Sequence, residues 1–251
     1  MDERHDRSFR LLFSHPRMVR DLLHGFPPEP WVEWLDLATL ERIDLGKTGA
    51  SADPLGKLPI WRVLWEGGSN WVYLLLRHQR EVDPFMGLSL GTCQALLYLE
   101  LARRHDIAPE GKPLPPVLPL VLHTGAEPWA VPLDAFDLFM PLPASLHLYV
   151  PRGRYSVIDL LHIPVRTGAG NLVGLLAELE RSPTPEAVGL GVERLLALTR
   201  EPEQAELRRA WTEFLRDSLM PRRLPGVAAD RAESLEDLLL VLEAQGSAWN
   251  A

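Results

Sequence analysis

Two strand-like runs joined by four turn-forming residues constrain this chain most: Leu58–Glu66 (LPIWRVLWE), then Gly67, Gly68, Ser69 and Asn70, then Trp71–Gln79 (WVYLLLRHQ). Aromatic and β-branched side chains suit a pleated surface, and Gly and Asn suit the turn, so the segment predicts a β-hairpin. The second run is apolar at every position from Val72 to Leu76. A strand without a polar face belongs in the middle of a sheet. Met86–His105 then reads as a long helix with Leu96, Leu97, Leu99 and Leu101 on its core side, and Val117–His123 (VLPLVLH) as a buried strand. Leu40–Leu45, Leu146–Val150 and Ser156–His162 are further strand candidates. The fold class that follows is α/β with a mixed sheet.

Helices flank this unit. Phe9, Leu12 and Phe13 recur at i, i+3, i+4, and a second helix begins near Pro16 with Ser14 placed to cap it. From Asn171 onward four amphipathic helices follow, each opened by a capping residue or an early proline. The last has Ser234 as its N-cap and Gly246 as its C-terminal stop. This organisation predicts an α/β core over residues 1–165 and a helical region over 166–251. The tail's apolar stripes, among them Leu195, Leu196, Leu238 and Leu242, should pack on one another or on a second subunit.

Composition excludes several classes. With 251 residues, 46% of them hydrophobic, the chain can build a core and is not disordered as a whole. No apolar run approaches the roughly 20 residues of a membrane span, and MDERHDRSFR has no signal-like apolar stretch, so a cytoplasmic protein is expected. A single cysteine, Cys93, and histidines without HxxxH spacing argue against zinc. The net charge of −8 shows no general basic bias toward phosphate, which leaves DNA a possible but unforced partner.

Particular strings carry more. HDRSFRLLFSHPRMVRDLL, the strand WVYLLLRHQ, the DPFM after it, and PLPPVLPLVLHTGAEPW with a later DLF resemble the Rpn family of bacterial recombination-promoting nucleases, from about residue 5 to residue 139. The resemblance implies a PD-(D/E)XK restriction-endonuclease-like core of helix, three strands, helix and strand, with a C-terminal helical extension. In such nucleases an Asp on one hairpin strand and a Glu on the next hold Mg²⁺, and a Lys or Gln two residues past the Glu positions water. Paired carboxylates bring in a hard cation that polarises the phosphate and activates water. The family's first strand begins like D-L-L-Y-R-V, where this chain has Leu58-Pro-Ile-Trp-Arg-Val63. The second reads like V-Y-L-L-I-E-H-Q, where this chain has Val72-Tyr-Leu-Leu-Leu-Arg-His-Gln79.

Both metal carboxylates are therefore replaced, by Leu58 and Arg77, while Gln79 keeps its family residue. Arg77 can bind phosphate as a bidentate donor, with His78 and Arg80 beside it, or be an ordinary salt-bridged strand-end arginine. No cofactor is expected unless acids have relocated, Glu41 and Asp53 first among the candidates and Asp44 and Glu66 after them, in which case Mg²⁺ returns. His5 and Asp6 match the family's opening H-D, or simply mark a helix start. Gly87-Leu-Ser89-Leu-Gly91 fits a hydrolase elbow, with Asp134 or Asp159 and His162 following in order, but Ser89 falls inside a helix. Trp61, Trp65 and Trp71 are cross-strand core partners rather than a base-stacking platform. Three readings follow: a nucleic-acid-binding or regulatory protein without metal cleavage, an Mg²⁺ nuclease with moved acids, or a module that associates with itself or a family paralogue.

Overall fold

The computed structural model describes residues 3–26, 30–45, 55–56, 58–65, 68, 70–104, 113–163, 168, 170–182 and 184–249. Two compact units emerge, one of Pro27–His162 and one joining Met1–Phe26 to Ile163–Ala251. The sequence boundary at 165/166 thus coincides nearly with one unit edge, while the opening helices group with the tail.

In the first unit five strands form one sheet in the order β1 (Leu35–Ile43), β2 (Ile60–Trp65), β3 (Trp71–Gln79), β4 (Val117–His123) and β5 (Ser156–Asp159). The pairs β1–β2 and β2–β3 are antiparallel, and β3–β4 and β4–β5 are parallel. Trp65 N–H donates to Asn70 O at 3.0 Å and closes the hairpin. Antiparallel neighbours need only a turn, whereas the parallel β3–β4 step needs a crossover, and helix α3 (Met86–Arg103) supplies it. β3 is buried from Val72 to Leu76 and holds the centre of the sheet, as its two apolar faces require. Counting the helices before β1, the order is helix, three strands, helix, strand, a PD-(D/E)XK-like core with a helical extension.

The α3 stripe is Met86, Leu90, Cys93, Leu97 and Leu101, which packs with Ile60, Tyr73, Leu75, Val117 and Val121 on one sheet face. Burying each leucine contributes about 1.5–3 kcal/mol. Leu99, expected on the core side, falls off that stripe and is exposed. β1 starts five residues before the expected strand because a bulge between Asp36 and Glu41 hides its alternation. There Thr39 Oγ1 accepts from Leu64 N–H at 2.9 Å in place of a ladder carbonyl. The expected strand at Leu146–Val150 is instead a 3₁₀ turn, Ala144–Tyr149. Prolines 141, 143 and 151 remove donors that a ladder would need.

The second unit is helical: α1 (Glu3–Leu12), α2 (Pro16–Gly25), α4 (Leu172–Arg181), α5 (Pro185–Leu198), α6 (Ala205–Phe214), α7 (Met220–Arg223) and α8 (Leu235–Trp249). A π segment, Leu215–Leu219, links α6 to α7. Phe9 of α1 meets Phe214 of α6 edge-on at 5.4 Å, which explains why the opening helices group with the tail. Asp21 of α2 accepts from Leu172 N–H at 2.7 Å, and Asn171 caps α4 through Val173 and Gly174 N–H. The apolar stripes of α5 and α8 pack on one another. Ser234 caps α8 as expected, accepting from Asp237 N–H at 3.1 Å. Two capping expectations fail: α8 runs through Gly246 to Trp249, and Ser14 donates back to Arg10 O while His15 takes the N-cap position of α2.

Candidate functional site

The hairpin register decides what faces what. Ile60 pairs with Leu75, and Leu76 N–H donates to Pro59 O at 3.1 Å. Continued one step beyond the ladder, the register would set Leu58, in the bend before β2, opposite Arg77 and on the same face. Gln79, two residues on, lies on that face too. Arg77 and Gln79, which the resemblance matches to the family's Glu and Gln, therefore lie at one end of the sheet on the face that carries α3, and Leu58, matched to the Asp, packs against the same core.

Their chemistry does not suit a divalent cation. Leu58 is half-buried against the core and offers no oxygen ligand. Arg77 places a permanent cation where the second carboxylate would be, and its Nη1 donates to Ser89 Oγ at 3.1 Å. Gln79 Nε2 is spent on Glu81 O at 2.8 Å. Mg²⁺ requires several oxygen ligands in near-octahedral geometry, so this residue set does not fit it. Among the described residues no group of three or more His, Cys, Asp or Glu is placed to hold a metal.

Glu41, the first candidate relocated acid among the described residues, is not brought to this point. Glu41 Oε2 accepts from Arg62 Nε and Nη2 at 2.9 and 2.8 Å, and Arg62 lies over the Trp71 ring at 4.4 Å. Arg62 is four residues from Leu58, about 13 Å along a strand. Asp53 and Glu66 lie outside the described residues. Asp6 lies in the first turns of α1, and the His5 side chain is also outside them. The three tryptophans are divided: Trp61 is buried, Trp65 meets the Trp34 ring at a tilt with centroids 5.3 Å apart, and Trp71 underlies Arg62.

Beside Gln79 stands the loop built by His123-Thr-Gly-Ala-Glu-Pro-Trp129. His123 is fully buried, with Nδ1 at 3.1 Å from Gln79 O and Nε2 at 2.7 Å from Glu127 O. Thr124 N–H donates to Gln79 O, and Thr124 Oγ1 meets His78 Nε2 at 2.8 Å. Gly125 is required because a Cβ there would lie 2.0 Å from Arg80 O. Asp159 accepts from Trp129 N–H and pairs with His162 Nδ1 at 2.7 Å, while His162 Nε2 faces Ala126 O. Trp129 Nε1 donates to Tyr155 Oη, which donates to Pro132 O at 2.9 Å. Burial holds the Tyr155 phenol above its ordinary value of 10.0, against the pull of the Trp129 N–H, so it remains a donor. This wiring explains why so particular a string follows β4: it fixes a loop against the ends of β3 and β5.

It also removes the hydrolase arrangement. Ser89 lies within α3 and accepts from Arg77; Asp134 accepts from Phe136 and Gly153 N–H; His162 is committed on both ring nitrogens. Sequence reasoning missed Ser89 as the partner of Arg77 and Thr124 as that of His78. The only sequence signals were a hydroxyl early in the helix and the unusual HTG.

Comparison with known proteins gives the family. The family model described as "Putative transposase, YhgA-like" matches residues 3–179. A recombination-promoting nuclease, RpnD of Escherichia coli O157:H7, is 24% identical over 163 residues, 64% of this chain and 60% of that protein. The chain thus spans about three-fifths of that relative's length. No solved structure gives a significant match. The chain belongs to the YhgA-like, recombination-promoting-nuclease (Rpn) family.

Proposed function

We propose that this member of the family binds nucleic acid without metal-dependent cleavage and acts as a binding or regulatory protein. The observation that carries the reading is Arg77, which the resemblance matches to the second metal carboxylate, held by Ser89 on the face that carries α3. A guanidinium there repels Mg²⁺ and offers donors to the phosphate that a nuclease would place at the same point. Arg80, exposed just past the end of β3, extends the contact along the backbone, whereas His78 faces the other side of the strand and meets Thr124. A cytoplasmic location belongs to this proposal; no helix among the described residues is long and apolar enough to cross a membrane.

Duplex binding measured at several salt concentrations tests the reading. The full chain should bind, and Arg77→Ala should weaken binding evenly across sequences and lower the slope of log K against log salt by about 1. No duplex should be cut in Mg²⁺ or Mn²⁺. Chelator-sensitive cleavage, abolished by Glu41→Ala or Asp53→Ala, would show instead that the acids have moved.

A further inference from the structure

The segment between β4 and β5 leaves the core and returns to it with both feet clamped together. Tyr155 N–H donates to Leu133 O at 3.1 Å, and Ala135 N–H to Gly153 O at 3.3 Å. Asp134 Oδ1 accepts from Gly153 N–H at 3.2 Å. The feet press on the first turn of α3: a Cβ on Gly153 would lie 2.6 Å from Gly87 O, and one on Gly87 would lie 2.8 Å from Ala135 N. Gly87 is two residues from Ser89, the partner of Arg77. A single helical turn therefore carries both the Arg77 contact and this loop. Closed loops of this kind, held at the base, are frequently functional.

The tip has unusual chemistry. Leu148, Tyr149 and Met140 are 86%, 82% and 73% exposed, the three highest values for large hydrophobic side chains among the described residues. Isolated exposed leucines are ordinary, but the three extremes in one short segment mark an interaction surface. From Leu138 to Ile158 there is no acidic residue, in a chain with 34 acids, whereas Arg152 and Arg154 are both exposed on the returning limb. Phe136 anchors that limb, with Arg152 over its ring at 4.4 Å and His147 edge-on at 5.0 Å. Apolar and aromatic tips flanked by cations suit bases presented between phosphates, while the segment's two acids, Asp134 and Asp137, stand at its foot, Asp134 opposite Arg154.

We infer that Leu133–Tyr155 is a nucleic-acid wedge: Leu148 and Tyr149 enter or stack on an opened base step while Arg152 and Arg154 hold the flanking phosphates. The inference rests on the proposed binding function and deepens it. Because the feet stand on the turn that holds Arg77, backbone contact and base contact would occur on one nucleic acid.

The probe is a duplex with 2-aminopurine at successive positions, titrated with the full chain. Binding should raise 2-aminopurine fluorescence as a base unstacks. Leu148→Ser with Tyr149→Ser should abolish the rise and weaken binding by about tenfold, the weight of one stacked base. Both side chains are solvent-facing, so the variant should keep its circular dichroism and melting temperature. Arg77→Ala should weaken binding yet retain the rise at saturation. Duplex binding without a rise, or with one that survives the double substitution, overturns the wedge and leaves the binding function standing. Absence of any duplex binding overturns both. Loss of self-association in the double variant, or of its adhesion to phosphatidylserine vesicles, with duplex binding unchanged, would assign the loop to another partner.

Discussion

Restoring the carboxylates tests the hairpin register and the reading of the cleft together. Leu58→Asp with Arg77→Glu rebuilds a D…E-x-Q set around Gln79, on residues that the hairpin register, continued past Ile60–Leu75, would set opposite one another. The apo variant should be weaker than the parent for three reasons. Half-buried Leu58 gives up on the order of 1 kcal/mol of burial, and loss of the Arg77–Ser89 hydrogen bond costs about 1 kcal/mol. Two carboxylates about 5 Å apart repel by about 3 kcal/mol at an effective dielectric of 20, less as they take up a proton. Mn²⁺ relieves the last of these. At a concentration 100 times its dissociation constant a ligand returns about 2.7 kcal/mol, which for a chain of this size raises Tm by about 5–10 °C. The assay is thermal unfolding against Mn²⁺ concentration, with calorimetry for stoichiometry, after circular dichroism has established folding. Leu58→Asp alone pairs its carboxylate with Arg77, and Arg77→Glu alone supplies one ligand, so neither single variant should respond. A folded double variant whose Tm ignores Mn²⁺ would refute the register or show the cleft closed.

Other substitutions probe the supports. Glu180 is fully buried and held by Arg222 at 2.7 and 3.2 Å with Arg223 at 3.9 Å, so Arg222→Met should cost about 3 kcal/mol in urea unfolding, while Glu180→Leu with Arg222→Met, which frees the partly exposed Arg223 to reach solvent, should cost less. A double variant as unstable as the single one would contradict this. Burial raises the Asp21 carboxyl above its ordinary value of 3.8, outweighing the Leu172 N–H and Arg17 that pull it down. The folded chain therefore holds that proton more tightly than the unfolded chain. Stability relative to Asp21→Asn should fall as pH rises from 3.8 through the raised value, and an increase over that window would be the wrong sign. His123→Ala should remove the imidazole bridge between the Gln79 and Glu127 carbonyls, of which Gln79 O keeps Thr124 N–H, and destabilise the chain by about 1–3 kcal/mol, with faster amide exchange across residues 124–129. Unchanged exchange there would remove His123 from the loop's support.

What the sequence disclosed followed from local physics. β3 and β4 emerged with their observed ends because continuous apolar runs bounded by polar residues have one reading, whereas β1 was half-hidden by a bulge that breaks its alternation. The alternation of Leu146, Leu148 and Val150 looked like a strand, but flanking prolines leave it unpaired and exposed. Leu99 was misassigned because a leucine-rich helix offers several candidate stripes, and only contact with Tyr73 and Val121 selects one. Leu58 and Arg77 were legible as departures from the family's strand pattern. The Arg77–Ser89 bond and the wiring of Asp159 and His162 to Trp129 and Ala126 were not, since each joins elements whose proximity the crossover alone creates.

The central claim, that the Leu58–Arg77–Gln79 cleft holds no divalent cation, is tested most directly by titrating the unaltered full chain with Mn²⁺ in a calorimeter. The account predicts no saturable heat at millimolar metal. Stoichiometric binding that Asp53→Ala abolishes would contradict it.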